Sequence, residues 1–480
     1  MQKTKQNIPK LYHWFMAMLL AITLLPQMVK AQMSWTSQPS AAGFAVAGRY
    51  SGSANNSATI QSRTSRVLAI YDIRNPQSAS APFIKSGDNA WVTPASGRFE
   101  HSTWTAMNLG EVGGVSLQDG ARYPDIFVTP TGVSLNPAGW ELLPRTGGTG
   151  GEVFRINGST GAITVLTTLP NASYVHNNGG VNYNRYVGLG DNTFNRRNNV
   201  LYVSNHYDGL IYAIDASSGA ILGSPLNHLG TAFTPVASQA FAPLDRLIFG
   251  LGYNPQENLL YYTTKASSAS NSNHQVWTVG LNADGSINSS SKSVTPILTF
   301  TNLFGVNNAA ITDISFNVTG TEMLLAEQNI TMSIIGTQRY LWKGGHAASV
   351  ARYQKSGSSW TFKQNYNSRI GSVQNSTNSA GHIDFGYNNY GTNALNSNFD
   401  DAVIFSADGV VYPSVANPPV YTIGYGMQIS NSTGSPTLFD SYGVDYDNST
   451  GALADVDDKG TQGDIEVANP IYDMGDLPDV

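Results

Sequence analysis

Short apolar runs recur between residues 110 and 440 in a fixed order, and that order constrains the fold more than any other feature of the chain. A first segment, usually ending in an aromatic residue, reads GGVSLQDG (113–120), GDNTFNRR (190–197), FGLGYNPQ (249–256), TDISFNVTG (312–320) and HIDFGYNN (382–389). A second follows one turn later as IFVTP (126–130), LYVSN (201–205), LYYTT (260–264), MLLAE (323–327) and AVIFS (402–406). The third reads GEVFRING (151–158), GLIYAIDASSG (209–219), HQVWTVGLNADG (274–285), ASVARYQKSG (348–357) and, more loosely, PVYTIGYG (419–426). A fourth closes the earlier units as AITVLTTLP (162–170), AILGSPL (220–226), TPILTF (295–300) and WTFKQNY (360–366). Runs this short, rich in Val, Ile, Tyr and Phe and bounded by Gly, Asn, Ser and Asp, are strands, and no stretch sustains a helical period.

Four antiparallel strands per unit, with turn signals such as Asp119-Gly120, Ser218-Gly219 and Asp284-Gly285, form the pattern of propeller blades with inserted loops. The expected fold is all-β, a β-propeller of five or six four-stranded blades. Five units are visible. RVLAIYDIRN (66–75) and APFIKSG (81–87) read as the last two strands of a closing blade, whose missing strands the end of the body, around 427–443, would supply. Ring closure removes the open edges that a long meander exposes. A sandwich array or a β-helix is the competing architecture.

Residues 1–31 read as a secretory signal, with Lys3, Lys5 and Lys10, then the apolar run from Trp14 to Leu25, then Val29-Lys-Ala31 before Gln32. A run of this length falls short of the roughly 20 residues a bilayer span needs, so cleavage after Ala31 is expected. The chain is therefore expected to be secreted or displayed at the cell surface, and nothing later is apolar enough to span a membrane.

Eleven acids and one base, Lys459, fall in residues 440–480, while the rest of the mature chain is neutral. This break places the domain boundary at 440, with the propeller over 32–440 and an acidic, largely irregular linker over 441–470. The formal net charge of −6 offers no basic footprint for nucleic acid. The absence of cysteine excludes disulfide scaffolds, thiolate zinc and thiol nucleophiles.

The run GLGDNTFNRRNNVLYVSNHYDGLIYAIDASSGAIL (188–222) resembles blades of the NHL, quinoprotein and lactonase-type six-bladed propellers. The order of units is similar to that of secreted bacterial multi-domain surface proteins that place such a propeller first. IYDMGDLPD (471–479) is similar to the opening of the GEVED-type repeat domain of bacterial surface proteins. The resemblance implies that 471–480 starts such a domain.

Chemistry is thinly marked. Eight His residues are scattered without an HExxH or an i, i+4 pair. In a propeller, His206, His274, His346 and His382 fall near strand ends and converge on one face. No Gly-x-Ser-x-Gly elbow, Ser-x-x-Lys or phosphate loop is present, so no catalytic residue and no organic cofactor is assigned. Acids at strand ends, Asp191, Asp208, Asp313, Glu327 and Asp400-Asp401, are available as a carboxylate pair of the kind glycosidases use. In DVDDKGTQGDIE (455–466), Asp455, Asp457 and Glu466 take positions one, three and twelve of an EF-hand-like loop, with Gly460 at six. They are candidate calcium ligands, although Lys459 stands at position five and no amphipathic helices flank the loop. The solvated acidic linker is the competing reading.

The sequence thus predicts an exported, monomeric surface protein, a propeller recognition or adhesion head for an extracellular glycan or protein ligand. The alternative is a secreted propeller hydrolase or lyase acting on a carbohydrate or lactone. Two or three carboxylates or His at the mouth of the central channel favour the enzyme, whereas Asn, Ser and apolar groups there favour the binder.

Overall fold

A computed structural model describes residues 33–37, 41, 43–51, 63–73, 98–118, 120–134, 145–178, 180–265, 273–301, 309–344, 348–368, 378–386, 402–413, 421–431, 441–445 and 462–468. Six antiparallel blades form a closed β-propeller. Almost no helix is present among the described residues beyond the turn Ala106–Leu109 and short 3-10 segments.

Blade 2 comprises Val112–Leu117, Ile126–Pro130, Glu152–Ile156 and Ile163–Thr168, from the axis outward. Blade 3 comprises Leu189–Asn195, Val200–Asn205, Leu210–Asp215 and Leu226–Asn227, and blade 4 Ile248–Asn254, Leu259–Lys265, Asn273–Gly280 and Leu298–Thr301. Blade 5 comprises Ala309–Phe316, Glu322–Ile335, Val350–Ser356 and Ser359–Tyr366, and blade 6 Ser379–Gly386, Ala402–Pro413, Tyr421–Asn431 and Ser441–Asp445. Each innermost strand touches its neighbours on both sides around the axis.

Blade 1 closes the ring. Its innermost strand is Gln462–Val467, paired with Phe44–Arg49, which is followed outward by Leu68–Asp72 and Arg98–Phe99. Two expectations are corrected here. The strands completing this blade come from 44–49 and 462–467, while Tyr421–Asn431 and Ser441–Asp445 belong to blade 6. The boundary at 440 and the linker over 441–470 also give way, because this acidic segment supplies an outer strand and the closing innermost strand. The charge count hid an alternating apolar pattern, in which Ile465 and Val467 are buried and packed against blade 6. The segments 81–87 and 471–480 lie outside the described residues.

The sequence pattern follows from how blades stack. A second strand is sandwiched between two neighbouring blades, so Val200–Asn205 and Ile126–Pro130 are buried along their whole length and read as unbroken apolar runs. The outermost strand Ile163–Thr168 is largely exposed and correspondingly more polar. The core is divided into layers between blades, as where Val200 and Tyr202 of blade 3 meet Ile248 and Tyr262 of blade 4. Inner strands end in an aromatic-Asn pair because the buried Asn builds the following turn. Asn195 Oδ1 accepts from the N–H groups of Arg197 and Asn198, and Asn254 Oδ1 from those of Gln256 and Glu257. At Ser218-Gly219 the glycine is obligatory: φ is +75°, and a Cβ would stand 2.0 Å from the carbonyl oxygen of Leu166.

Two hairpins depart from the blade repeat. Ser173–Asn178 pairs with Val181–Tyr186 between blades 2 and 3, and the long second strand of blade 5 folds back through Gln338–Gly344. Both lie at the end of the propeller where the innermost strands begin. There Tyr174, Phe241, Ile330, Tyr340 and Leu341 form a small core of their own.

Candidate functional site in the central channel

The third residue of the blade 3 inner strand is Asp191, and the corresponding inner-strand positions of blades 5, 6 and 1 carry Asp313, Asp384 and Asp464. Blades 2 and 4 carry Gly114 and Gly250 there. All four carboxylates are buried. Each reaches sideways to the next blade. Asp191 Oδ2 accepts from the N–H of Leu251 at 2.7 Å, Asp313 Oδ2 from Ile383 at 2.7 Å, Asp384 Oδ2 from Val467 at 2.7 Å, and Asp464 Oδ2 from Val115 at 2.5 Å. Hydrogen bonds of this kind contribute about 0.5–1.5 kcal/mol each, so the acids fasten blade to blade around the axis.

At the two glycine positions a threonine of the second strand takes over. Thr129 Oγ1 donates to the carbonyl of Gly190, and Thr263 Oγ1 donates to that of Ile311 while accepting from the N–H of Gly250. The glycines leave room for this arrangement. A Cβ at Gly114 would stand 2.4 Å from Thr129 Oγ1, and one at Gly250 would stand 2.8 Å from the backbone nitrogen of Asp313.

Fastening does not use up the acids. A carboxylate has about four lone-pair sites, and two of these residues crowd a histidine at the axis. Ligand atoms of Asp313, His382 and Asp464 all lie within 4.8 Å of one another, with His382 Nδ1 3.0 Å from Asp464 Oδ1. Burial pushes the Asp191 and Asp313 carboxyls well above their usual range, and the charge of Asp464 adds to the rise. Burial also raises Asp384 to about 7, opposed by hydrogen bonds from Glu466 and Ser315. Burial and mutual repulsion therefore oppose ionisation of these carboxyls in the absence of a counter-charge.

Below the acids, at the end toward which the inner strands run, a cavity of about 90 Å³ opens between Asp313, Asp384 and Glu466. Ser315, Thr193 and Arg196 line its polar side, and Phe194, Tyr253 and Phe316 its apolar side.

Glu466, one of the proposed EF-hand-like ligands, sits in the innermost strand opposite Val46 and lines this cavity beside Asp384. Its described neighbours, Gln462 to Val467, form a β-ladder with Phe44–Arg49. Asp455 and Asp457 lie outside the described residues, as do His346 and Asp400-Asp401. Among the described residues, His206 and His274 do not converge. His206 packs on Phe241 and Phe249, and His274 occupies the same strand face as Val276, against blade 5. Among the described His residues, only His382 joins the channel acids. Asp208 closes its own turn through Tyr212 and Leu210, and Glu327 is buried near Lys265. Asp384, Asp464 and the axial role of Glu466 escaped the sequence reading. The available signal was the Asp recurring at one position in GDNTF, TDISF, HIDFG and GDIEV.

No family model and no curated protein matches the chain. Solved structures that resemble it do so remotely. A protein from Lactobacillus plantarum shares 9% identity with a TM-score of 0.39, over 88% of this chain and 98% of that one. A putative 6-phosphogluconolactonase from Bacteroides fragilis shares 11% identity with a TM-score of 0.37, over 89% of this chain and 98% of that one. A calcium-binding protein, regucalcin, from Agrobacterium tumefaciens shares 11% identity with a TM-score of 0.34, over 79% and 94%. Likenesses this distant carry no argument about the chemistry of the channel.

Proposed function

We propose that the chain is the head of an exported surface protein, and that its central channel holds a divalent cation through which a small, oxygen-rich extracellular ligand is bound. The observation that carries this reading is the convergence of Asp313, His382 and Asp464 on one point of the axis. Two ligand atoms bound to one Ca²⁺ at about 2.4 Å stand at most about 4.8 Å apart. The observed spread lies within reach of one divalent cation, and an imidazole beside two carboxylates suits Mn²⁺ or another transition metal better than Ca²⁺. Such a cation favours the ionised carboxylates and so offsets the burial and mutual repulsion that raise Asp191 and Asp313. Ligand hydroxyls or carbonyls entering from the cavity beside Asp384 and Glu466 complete its coordination.

The secretory reading of residues 1–31 and the GEVED-like opening at 471–480 support placement outside the cell. The hydrolase or lyase alternative draws on a separate observation, the hydrogen-bonded Asp384–Glu466 carboxyl pair at the open mouth. Two hydrogen-bonded carboxyls, one of them raised to about 7, are the kind of pair from which a general acid and base are drawn.

Calorimetric titration of the metal-stripped protein with Ca²⁺, Mg²⁺ and Mn²⁺ tests the reading. One cation per chain is expected, with affinity falling by about tenfold or more in D313N, as removal of one charged ligand implies. Absence of binding in the wild type overturns it. Turnover of aryl glycosides or lactones that is abolished in E466Q transfers the channel to the enzyme reading.

A further inference from the structure

The cavity below the channel acids has one wall that neither the cation nor the blade fasteners use. Arg196 follows the inner strand of blade 3 directly, in the turn that Asn195 fixes by accepting from the N–H groups of Arg197 and Asn198. Its side chain lines the cavity and is half-buried. Among the described residues the Arg196 guanidinium makes no hydrogen bond and no ion pair. Five N–H donors in a planar fork therefore face the cavity and solvent without a protein acceptor.

The far side of the same cavity is acidic. Blade 3 faces blade 6 across the ring of six, and Asp384 of blade 6 and Glu466 of blade 1 line the cavity together. Ser315 Oγ donates to Asp384 Oδ1, which fixes that carboxyl in place. The ring holds the guanidinium and the two carboxyls on separate blades, so no ion pair closes the space between them. Phe194, Tyr253 and Phe316, from blades 3, 4 and 5, form the apolar flank of this space. A cationic fork, an aromatic flank and a pair of carboxyl acceptors thus surround one opening.

We infer that the ligand of this cavity is a hexuronate, a pyranose sugar whose carboxylate lies in the fork of Arg196 and whose vicinal hydroxyls reach Asp384 and Glu466. The inference deepens the reading of the channel as a ligand-binding site and rests on it. In a hexuronate the carboxylate and a vicinal hydroxyl pair stand across the ring from each other, as the guanidinium and the acids stand across the cavity. The C–H face of the ring packs on the aromatic flank. A planar guanidinium accepts a carboxylate through two parallel N–H···O bonds, so Arg196 selects the acidic sugar over its neutral counterpart. A basic sugar would bring like charge to the same fork.

Calorimetric titration of the full chain with D-glucuronate, D-glucose, D-glucosamine and acetate, each with and without saturating Mn²⁺, tests the inference. Glucuronate is expected to bind at least about tenfold more tightly than glucose, which carries a hydroxymethyl group in place of the carboxylate. The same margin is expected over acetate, which has the carboxylate without the ring. R196Q should melt with the wild type and keep its Mn²⁺ affinity, yet bind glucuronate and glucose alike. R196K keeps the charge without the fork and should retain only part of the preference. Equal binding of glucuronate and glucose or acetate, tighter binding of glucosamine, or a preference that survives in R196Q overturns the inference. A wild type that binds Mn²⁺ but not glucuronate defeats this inference alone, whereas one that binds neither defeats the channel reading with it.

Discussion

Removing residues 462–480 deletes the innermost strand of blade 1 and should unfold the propeller, although the segment is short and acidic. Ile465 and Val467 are 1% and 0% exposed, and burying two such side chains contributes about 3–6 kcal/mol. The strand also provides one partner in each of two fasteners between blades, Val115 to Asp464 and Val467 to Asp384. Two bonds of that kind add about 1–3 kcal/mol. Together the loss is about 4–9 kcal/mol, an upper estimate because the unfolded chain already buries some surface. A typical domain has only about 5–15 kcal/mol to lose. Urea unfolding followed by tryptophan fluorescence is the assay. A chain ending at Ala468 keeps the strand and should unfold at the same urea concentration as the full chain, whereas one ending at Thr461 should show no cooperative transition. The point variant I465A should cost about 2–5 kcal/mol. An unchanged midpoint in the chain ending at Thr461 would refute ring closure by this strand.

Three further outcomes are expected. T263V keeps the shape of the side chain but strands the Gly250 N–H between blades 4 and 5, and should cost about 1–3 kcal/mol by chemical denaturation; a neutral result would show that the hydroxyl bridge contributes nothing. Without divalent cation, the Asp384 carboxyl, raised to about 7 when folded and about 3.9 when unfolded, destabilises the fold increasingly as pH rises from 4 through 7. The stability difference between wild type and D384N should therefore move against the wild type over that window, and a flat difference across pH 4–8 would contradict the raised value. G250A should be markedly destabilised, since its Cβ meets the backbone of blade 5 at 2.8 Å; a melting temperature equal to wild type would count against the close approach.

The repeated strands were legible because burial between blades imposes the same apolar pattern each time, so the runs at 126–130, 201–205 and 260–264 align by eye. The closing strand was not. QGDIEV carries two acids in six residues and stands in an acidic stretch, and only the channel, where Asp464 meets backbone N–H groups and Glu466 meets Asp384, makes those charges tolerable in a strand. Local charge counting assigns such a segment to solvent, whereas its pairing with Phe44–Arg49 depends on a contact across more than 400 residues. The acids of the site were individually visible, but their convergence depends on blade geometry.

The channel reading is tested most directly by crystals grown with Mn²⁺ and measured for anomalous scattering. The account predicts one anomalous peak on the propeller axis, within about 2.0–2.6 Å of ligand atoms of Asp313, His382 and Asp464, and its loss in D313N. A wild-type map with no peak at these three residues would contradict it.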